Sequence, residues 1–150
     1  MIDIKLLEQL CLCNGISGDE GNVRNLIINE IKDCADDIKT DNLGNLIVFK
    51  KGKKSAKSKL MVSAHMDEVG LMVTDITSDG YLKFDEVGGI DRRVLPGKRV
   101  CIGRNGLNGV IGVKPIHLTN GDEKTAVPKM NDMYIDIGAE SREDALKYVN

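Results

Sequence analysis

The chain has 150 residues, a net charge of −2 and only 3% aromatic side chains, with no tryptophan. Such a chain offers no basic surface for nucleic acid or an anionic membrane, and few rings on which bases or sugars could stack. Its 41% hydrophobic residues argue against disorder and suffice for one domain with a real core, or for two small or incomplete ones.

No apolar run approaches the ~20 residues of a membrane span. Met1-Ile2-Asp3-Ile4-Lys5 lacks the basic-then-apolar order of a signal peptide, so the expected location is cytoplasmic. Residues 2–13 carry Ile2, Leu6, Leu7, Leu10 and Cys13 at the spacing of one helix face, and Asn14-Gly15 ends that helix. Ser17-Gly18-Asp19-Glu20 reads as a capping box, in which the Ser17 hydroxyl accepts from the Glu20 N–H and Glu20 reaches back. A second helix then runs to about Cys34, with Val23, Leu26, Ile27, Ile31 and Cys34 facing the core. Ile38–Asp41 and Leu46–Phe49 flank Asn42-Leu43-Gly44-Asn45, the pattern of a β-hairpin. The lysine-rich residues 50–59 read as a solvated loop. Leu60-Met61-Val62-Ser63-Ala64 reads as a buried strand of a sheet covered on both faces.

After residue 67 the pattern changes. Val69–Ile76, Tyr81–Phe84, Arg99–Gly103, Val110–Val113 and Met133–Ile137 read as short strands. Between them lie the turn signals Ser78-Asp79-Gly80, Pro96-Gly97, Asn105-Gly106 and Asn120-Gly121. Short strands with glycine-rich turns predict a small barrel or sandwich. Ser141-Arg142-Glu143-Asp144 reads as a helix N-cap leading into Ala145–Val149, and the chain stops there barely two turns in. The expected fold class is an α/β fragment, two helices plus the start of a mixed sheet, over residues 1–67. A β-rich, barrel-like domain follows over residues 68–150.

Among chemically capable residues, His65 follows the Leu60–Ala64 run in Ala64-His65-Met66-Asp67-Glu68. Alternate residues of an extended segment point the same way, so the His65 imidazole and the Asp67 carboxylate converge at the end of a strand, where open α/β sheets place ligands. An imidazole with a neighbouring carboxylate is a competent zinc ligand; it is also a common structural hydrogen-bonded pair. His117, in Lys114-Pro115-Ile116-His117-Leu118, reads as a loop histidine rather than a ligand. Asp85-Glu86 and Asp91-Arg92-Arg93 read as solvated charges. Cys11, Cys13, Cys34 and Cys101 lack zinc-finger spacing and read as buried thiols. Neither a G-x-S-x-G nor a phosphate-loop motif is present.

Three segments in order, Asn14-Gly15-Ile16-Ser17-Gly18-Asp19-Glu20, Asp41-Asn42-Leu43-Gly44-Asn45-Leu46 and Ala64-His65-Met66-Asp67-Glu68-Val69-Gly70, resemble the N-terminal part of the glutamyl and deblocking aminopeptidases. Relatives of that family form tetrahedral assemblies, and some members have been labelled endoglucanases or cellulases. Gly109–Leu118 and Met133–Ala139 extend the resemblance over essentially the whole chain. It implies a catalytic α/β domain interrupted, just after the His-x-Asp segment, by a β-rich domain of the dimerisation type. It further implies that His65 is a ligand of one of two metal ions, commonly zinc or cobalt. Asp67 would support the dinuclear site and its catalytic geometry, and the substrates would be peptides cleaved at their N-termini. The implied chemistry is a metal-activated water and a polarised carbonyl, with a glutamate as general base.

Family chains are considerably longer, and the resemblance places the bridging aspartate, the catalytic glutamate and the other ligands beyond the inserted domain. A catalytic zinc normally has three protein ligands, and here the resemblance supplies one. The expectation is therefore an N-terminal portion that is itself inactive, binds at most a single metal weakly, and self-associates as a homo-oligomer, by strand exchange at the Leu60–Ala64 edge. One alternative is an oligomerisation or binding module derived from the family. Another is a glycoside hydrolase, which typically needs two carboxylates flanking the bond and usually an aromatic sugar platform.

Overall fold

A computed structural model describes residues 3–54, 57–114 and 127–149. The chain divides into two compact units, Met1–Glu68 and Val69–Asn150.

The first unit begins with α1, Ile4–Leu12. Asp3 caps it: its carboxylate accepts from the N–H groups of Lys5 at 3.0 Å and Leu6 at 3.2 Å, supplying partners for donors that the first helical turn leaves open. The helical spacing of the apolar residues is as the sequence implies, but α1 buries none of them fully. Leu6, Leu10 and Cys13 are half-buried and Leu7 is exposed. Helix α2 spans Gly21–Ile31 and buries Val23 alone. Leu26, Ile27 and Ile31 are half-buried, while Cys34 lies beyond the helix end, exposed, with its thiol on the Ile31 carbonyl at 3.1 Å.

The expected capping box is replaced by another arrangement. The Ser17 N–H donates to the Glu68 carbonyl, and Glu20 accepts from the Gly18 N–H at 2.7 Å instead of reaching back to Ser17. Glu20 itself occupies the N-cap position, without a side-chain cap bond. A long-range pairing has taken the donor that a local box would have used.

Strands β1 (Asp37–Thr40) and β2 (Leu46–Phe49) form the expected antiparallel hairpin, in register from Asp37↔Phe49 to Thr40↔Leu46. The Leu60–Ala64 run is not the buried strand its composition predicts. Among the described residues it pairs with no strand, and Leu60, Met61 and Val62 are 91, 87 and 86% exposed. A continuous apolar run becomes a buried strand only when neighbours pair its edges and cover its faces, and the described residues bring none to it. The only parallel pairing described is the single bridge Ile16↔Glu68.

The second unit is one antiparallel sheet of β3 (Gly70–Ile76), β4 (Leu82–Val87), β5 (Arg99–Ile102), β6 (Leu107–Val113) and β7 (Met133–Asp136). Its order is β3-β4-β7-β6-β5, with β7, last in the chain, inserted between β4 and β6. Met133 and Ile135 of β7 are fully buried, while the alternate Asp136 points to solvent, the period-two signature of a half-buried strand. They pack with Leu82, Phe84 and Ile111 in one core that Leu95, Met130 and Ala145 close.

The sheet is open. Among the described residues β3 and β5 remain edges. Turn spacing reveals strands but not closure, which depends on strand tilt and stagger. Strand β3 carries a bulge between Val73 and Asp75. Helix α3, Arg142–Ala145, begins at Ser141, whose hydroxyl accepts from the Asp144 N–H at 3.2 Å. Arg142 fastens it to β3 through Asp75 at 3.0 Å and the Ile76 carbonyl. The cysteine reading is corrected throughout: Cys11, Cys34 and Cys101 are exposed and Cys13 is half-buried, all unbridged.

Truncating Leu82, which is 0% exposed, to alanine should cost about 2–5 kcal/mol, the range for buried leucines. Leu43→Ala, at a site 88% exposed, should stay within about 0.5 kcal/mol. Denaturant unfolding of both variants checks the contrast.

Candidate functional site

The His-x-Asp pair lies in the first unit, on the extended stretch that joins Leu60–Ala64 to Glu68. His65 and Asp67 do converge. The Nδ1 atom of His65 is 3.0 Å from the Asp67 carbonyl oxygen and 3.1 Å from its Oδ1. Both oxygens can only accept, so Nδ1 carries the proton and donates. In the neutral ring the lone pair then sits on Nε2, the nitrogen turned away from Asp67. The imidazole is 85% exposed and the carboxylate 41%.

This pair borders a cleft of about 570 Å³ lined by Glu20, Ile27, Leu43–Val48 and Met61–Asp67. Its lining is mixed, with the polar side chains of Glu20, Asn45, Ser63, His65 and Asp67 among apolar ones. Glu20 comes from the start of α2, and its carboxyl is held below its usual value chiefly by the Gly18 N–H, against an opposing push from the Asp67 charge.

The hairpin turn makes another wall. Asp41 organises it: Oδ1 accepts from the N–H of Leu43 at 3.0 Å and of Asn45 at 2.9 Å, and Oδ2 from the Asn45 side-chain amide at 2.9 Å. Gly44 adopts φ +86°, and its carbonyl accepts from Arg24 of α2 at 2.8 Å. A β-carbon at Gly44 would be strained by that φ and would stand 3.0 Å from the guanidinium. Helix α2 thus holds the turn against the cleft.

Among the described residues, no three His, Cys, Asp or Glu side chains gather to hold a metal ion. His117 lies outside the described residues. Asp91, Arg92, Arg93 and Glu86 belong to the second unit and form ion pairs, Arg92–Glu86 at 2.6 Å and Arg93–Asp91 at 2.5 Å. The Arg93 guanidinium pulls the Asp91 carboxyl down to about 2.

Reading the sequence alone assigned Glu20 to a cap and gave neither Arg24 nor Glu68 a role. Both contact the backbone of segments remote in sequence, for which a single chain carries no local signal.

Residues 44–150 match the family model described as M42 glutamyl aminopeptidase, and the chain belongs to that family. A putative aminopeptidase of Acetivibrio thermocellus is 48% identical over 145 residues, covering 97% of this chain and 41% of that protein. The TET aminopeptidase from a marine-sediment Thaumarchaeota archaeon superposes with a TM-score of 0.88 at 34% identity, over 98% of this chain and 42% of that one. The TET1 peptidase of Pyrococcus horikoshii, described as assembling into a tetrahedron or a large octahedral shell, gives a TM-score of 0.83 at 46% identity. It is matched over 98% of this chain and 44% of its own. The chain therefore spans about two-fifths of the length of these relatives and corresponds to the N-terminal portion of an M42 aminopeptidase.

The wall formed by Asp41 carries its own pH dependence. Bonds from Asn45, first from its side-chain amide and then from its backbone N–H, lower the Asp41 carboxyl below its ordinary 3.8. A depressed carboxylate contributes stability that is present above the unfolded value and lost as pH falls through the folded one. The turn should therefore hold down to about pH 3.8 and loosen below it. Asn45→Ala should move the Asp41 titration, followed by carboxyl NMR, back up towards 3.8.

Proposed function

We propose that the parent of this chain is a two-metal aminopeptidase that removes N-terminal residues from peptides. In it His65 ligates one ion through Nε2, and Asp67 orients that ligand and supports the pair of ions. The observation that carries the reading is the His65–Asp67 contact at the cleft, which gives the ring the tautomer of a metal ligand braced by a carboxylate. The donor chemistry fits zinc or cobalt, since imidazole suits both. Ions bound in such a site lower the pKa of water and polarise the scissile carbonyl.

The chain's own residues do less than that. Asp67 keeps the Nδ1 proton in place and so presents the lone pair outward. Glu20, on the same cleft, adds a second negative charge favourable to cations. One imidazole falls short of the three protein ligands usual at a catalytic zinc. The 150 residues accordingly bind at most one ion, weakly, and do not turn over substrate.

Within this reading, residues 1–67 are part of the catalytic domain and residues 68–150 the inserted domain of dimerisation type. The protein is a cytoplasmic homo-oligomer; no helix among the described residues is long and apolar enough to cross a membrane. The glycoside hydrolase alternative loses its support, because family membership explains the resemblance and the described lining of the cleft holds no Phe, Tyr or Trp.

A panel of amino-acyl anilides with zinc or cobalt tests the reading. Neither this chain nor His65→Ala should exceed the metal-only background. Turnover that His65→Ala abolishes would mean that the ligand set is more complete than proposed. A second expectation concerns Leu60–Val62, almost wholly exposed. The sedimentation mass should rise with concentration, chelator should not alter it, and Val62→Lys should reduce it. A monomer at all concentrations would refute self-association.

A further inference from the structure

Among the described residues, nothing pairs with the segment that carries His65 and Asp67 until Glu68, where three bonds converge. The Glu68 N–H donates to the Gly15 carbonyl at 2.7 Å, and the Ser17 N–H donates to the Glu68 carbonyl at 3.2 Å. The Gly15 N–H donates to the Glu68 carboxylate at 3.1 Å, across 53 residues of sequence. The first two bonds make the parallel bridge. The third is a charge-assisted bond, about twice as strong as a neutral one, and it joins the side chain to the same glycine. Gly15 is buried and lies directly against the site: a β-carbon there would stand 2.5 Å from Val23 Cγ2 and 3.3 Å from the carbonyl oxygen of Met66, the residue between His65 and Asp67.

We propose that Glu68 is a positioning residue of the metal site. By clamping Gly15 with both backbone and carboxylate, it fixes the orientation of Asp67, and through Asp67 the tautomer and direction of the His65 ring. Both acceptors that face Nδ1, the carbonyl oxygen and Oδ1, belong to Asp67. The Asp67 carbonyl is part of the peptide bond to Glu68, so rotation of that peptide moves an acceptor away from the ring. His65, 85% exposed, has no other hydrogen-bond partner among the described residues. The inference rests on the reading of His65 as a ligand for its functional meaning, but not for its geometry.

The test uses the full 150-residue chain, labelled with 15N, and reads the two ring nitrogens of neutral His65 by long-range proton–nitrogen correlation. In the wild type the shifts should be widely separated, with the proton on Nδ1. In Glu68→Ala they should converge as the two tautomers mix. Glu68→Gln should restore the separation, because its amide oxygen still accepts from Gly15. Glu68→Asp, one methylene short, should not. Amide peaks of Val69–Val149 serve as the folding control.

A Glu68→Ala protein with the wild-type separation would overturn the proposal. Should that variant lose the folded spectrum of the first unit, identical His65 signatures in the Gln and Asp variants would overturn it equally. Zinc added to each protein separates the two readings. Perturbation of Nε2 should require several-fold more zinc in Glu68→Ala than in the wild type or Glu68→Gln. Zinc that leaves Nε2 unmoved in all of them refutes the ligand reading, while the tautomer comparison still decides the role of Glu68.

Discussion

Apolar burial is the constraint from which the rest of the structure follows, and it is shared unequally between the two units. Nine of the ten buried hydrophobic residues described lie in Val69–Asn150, and Val23 alone lies in the first unit. Each buried side chain of the size of Leu, Ile or Phe is worth about 1.5–3 kcal/mol. The second unit can therefore be ordered by its core, with a central strand, β7, whose inward residues meet both neighbours. The first unit has no comparable core, and what defines its conformation is polar.

The polar contacts share one chemistry. Asp3 accepts backbone N–H groups at the start of α1, Asp41 does so in the hairpin turn, Glu20 at Gly18 and Glu68 at Gly15. A carboxylate accepting from backbone N–H makes a stronger bond than a neutral acceptor and fixes a loop without needing a core beneath it. Three of these four carboxylates lie on or next to the cleft. The candidate site is thus framed by loops whose shape is set locally by charge-assisted bonds, and it retains a defined His65–Asp67 geometry although little apolar surface is buried around it.

Local signals were legible in the sequence. The helix faces, the hairpin, all five strands of the second unit and the Ser141 cap depend on periodicity or on residues within a few positions of each other. The approach of His65 to Asp67 was legible for the same reason, since an extended backbone aligns residues two apart. Failures fall where the outcome depends on distant partners. Ser17 gives its N–H to Glu68 rather than to a capping box. Among the described residues Leu60–Ala64 has a core strand's composition but no paired neighbour, and Cys34 stands past the end of its helix. Arg24 and Glu68 act on Gly44 and Gly15, 20 and 53 residues away, and nothing adjacent to them in sequence advertises it.

The misplaced expectations of burial point in one direction. Leu7, Ile47, Phe49, Leu60, Met61 and Val62 are all more than half exposed, yet most occupy positions where the sequence pattern calls for a covered face. Single exposed apolar residues are ordinary, whereas contiguous ones mark surfaces built to meet something. The second unit contains no such conflict between pattern and burial along its central strand. The conflict is most extended along Leu60–Val62 of the unit that holds the His-x-Asp segment, although Val69, Met72 and Val94 of the second unit are also more than half exposed, in a chain that spans two-fifths of the length of its relatives. A pattern written for contacts that the described residues do not make accounts for an exposed apolar run beside His65 and Asp67, whose own hydrogen bond is nonetheless formed.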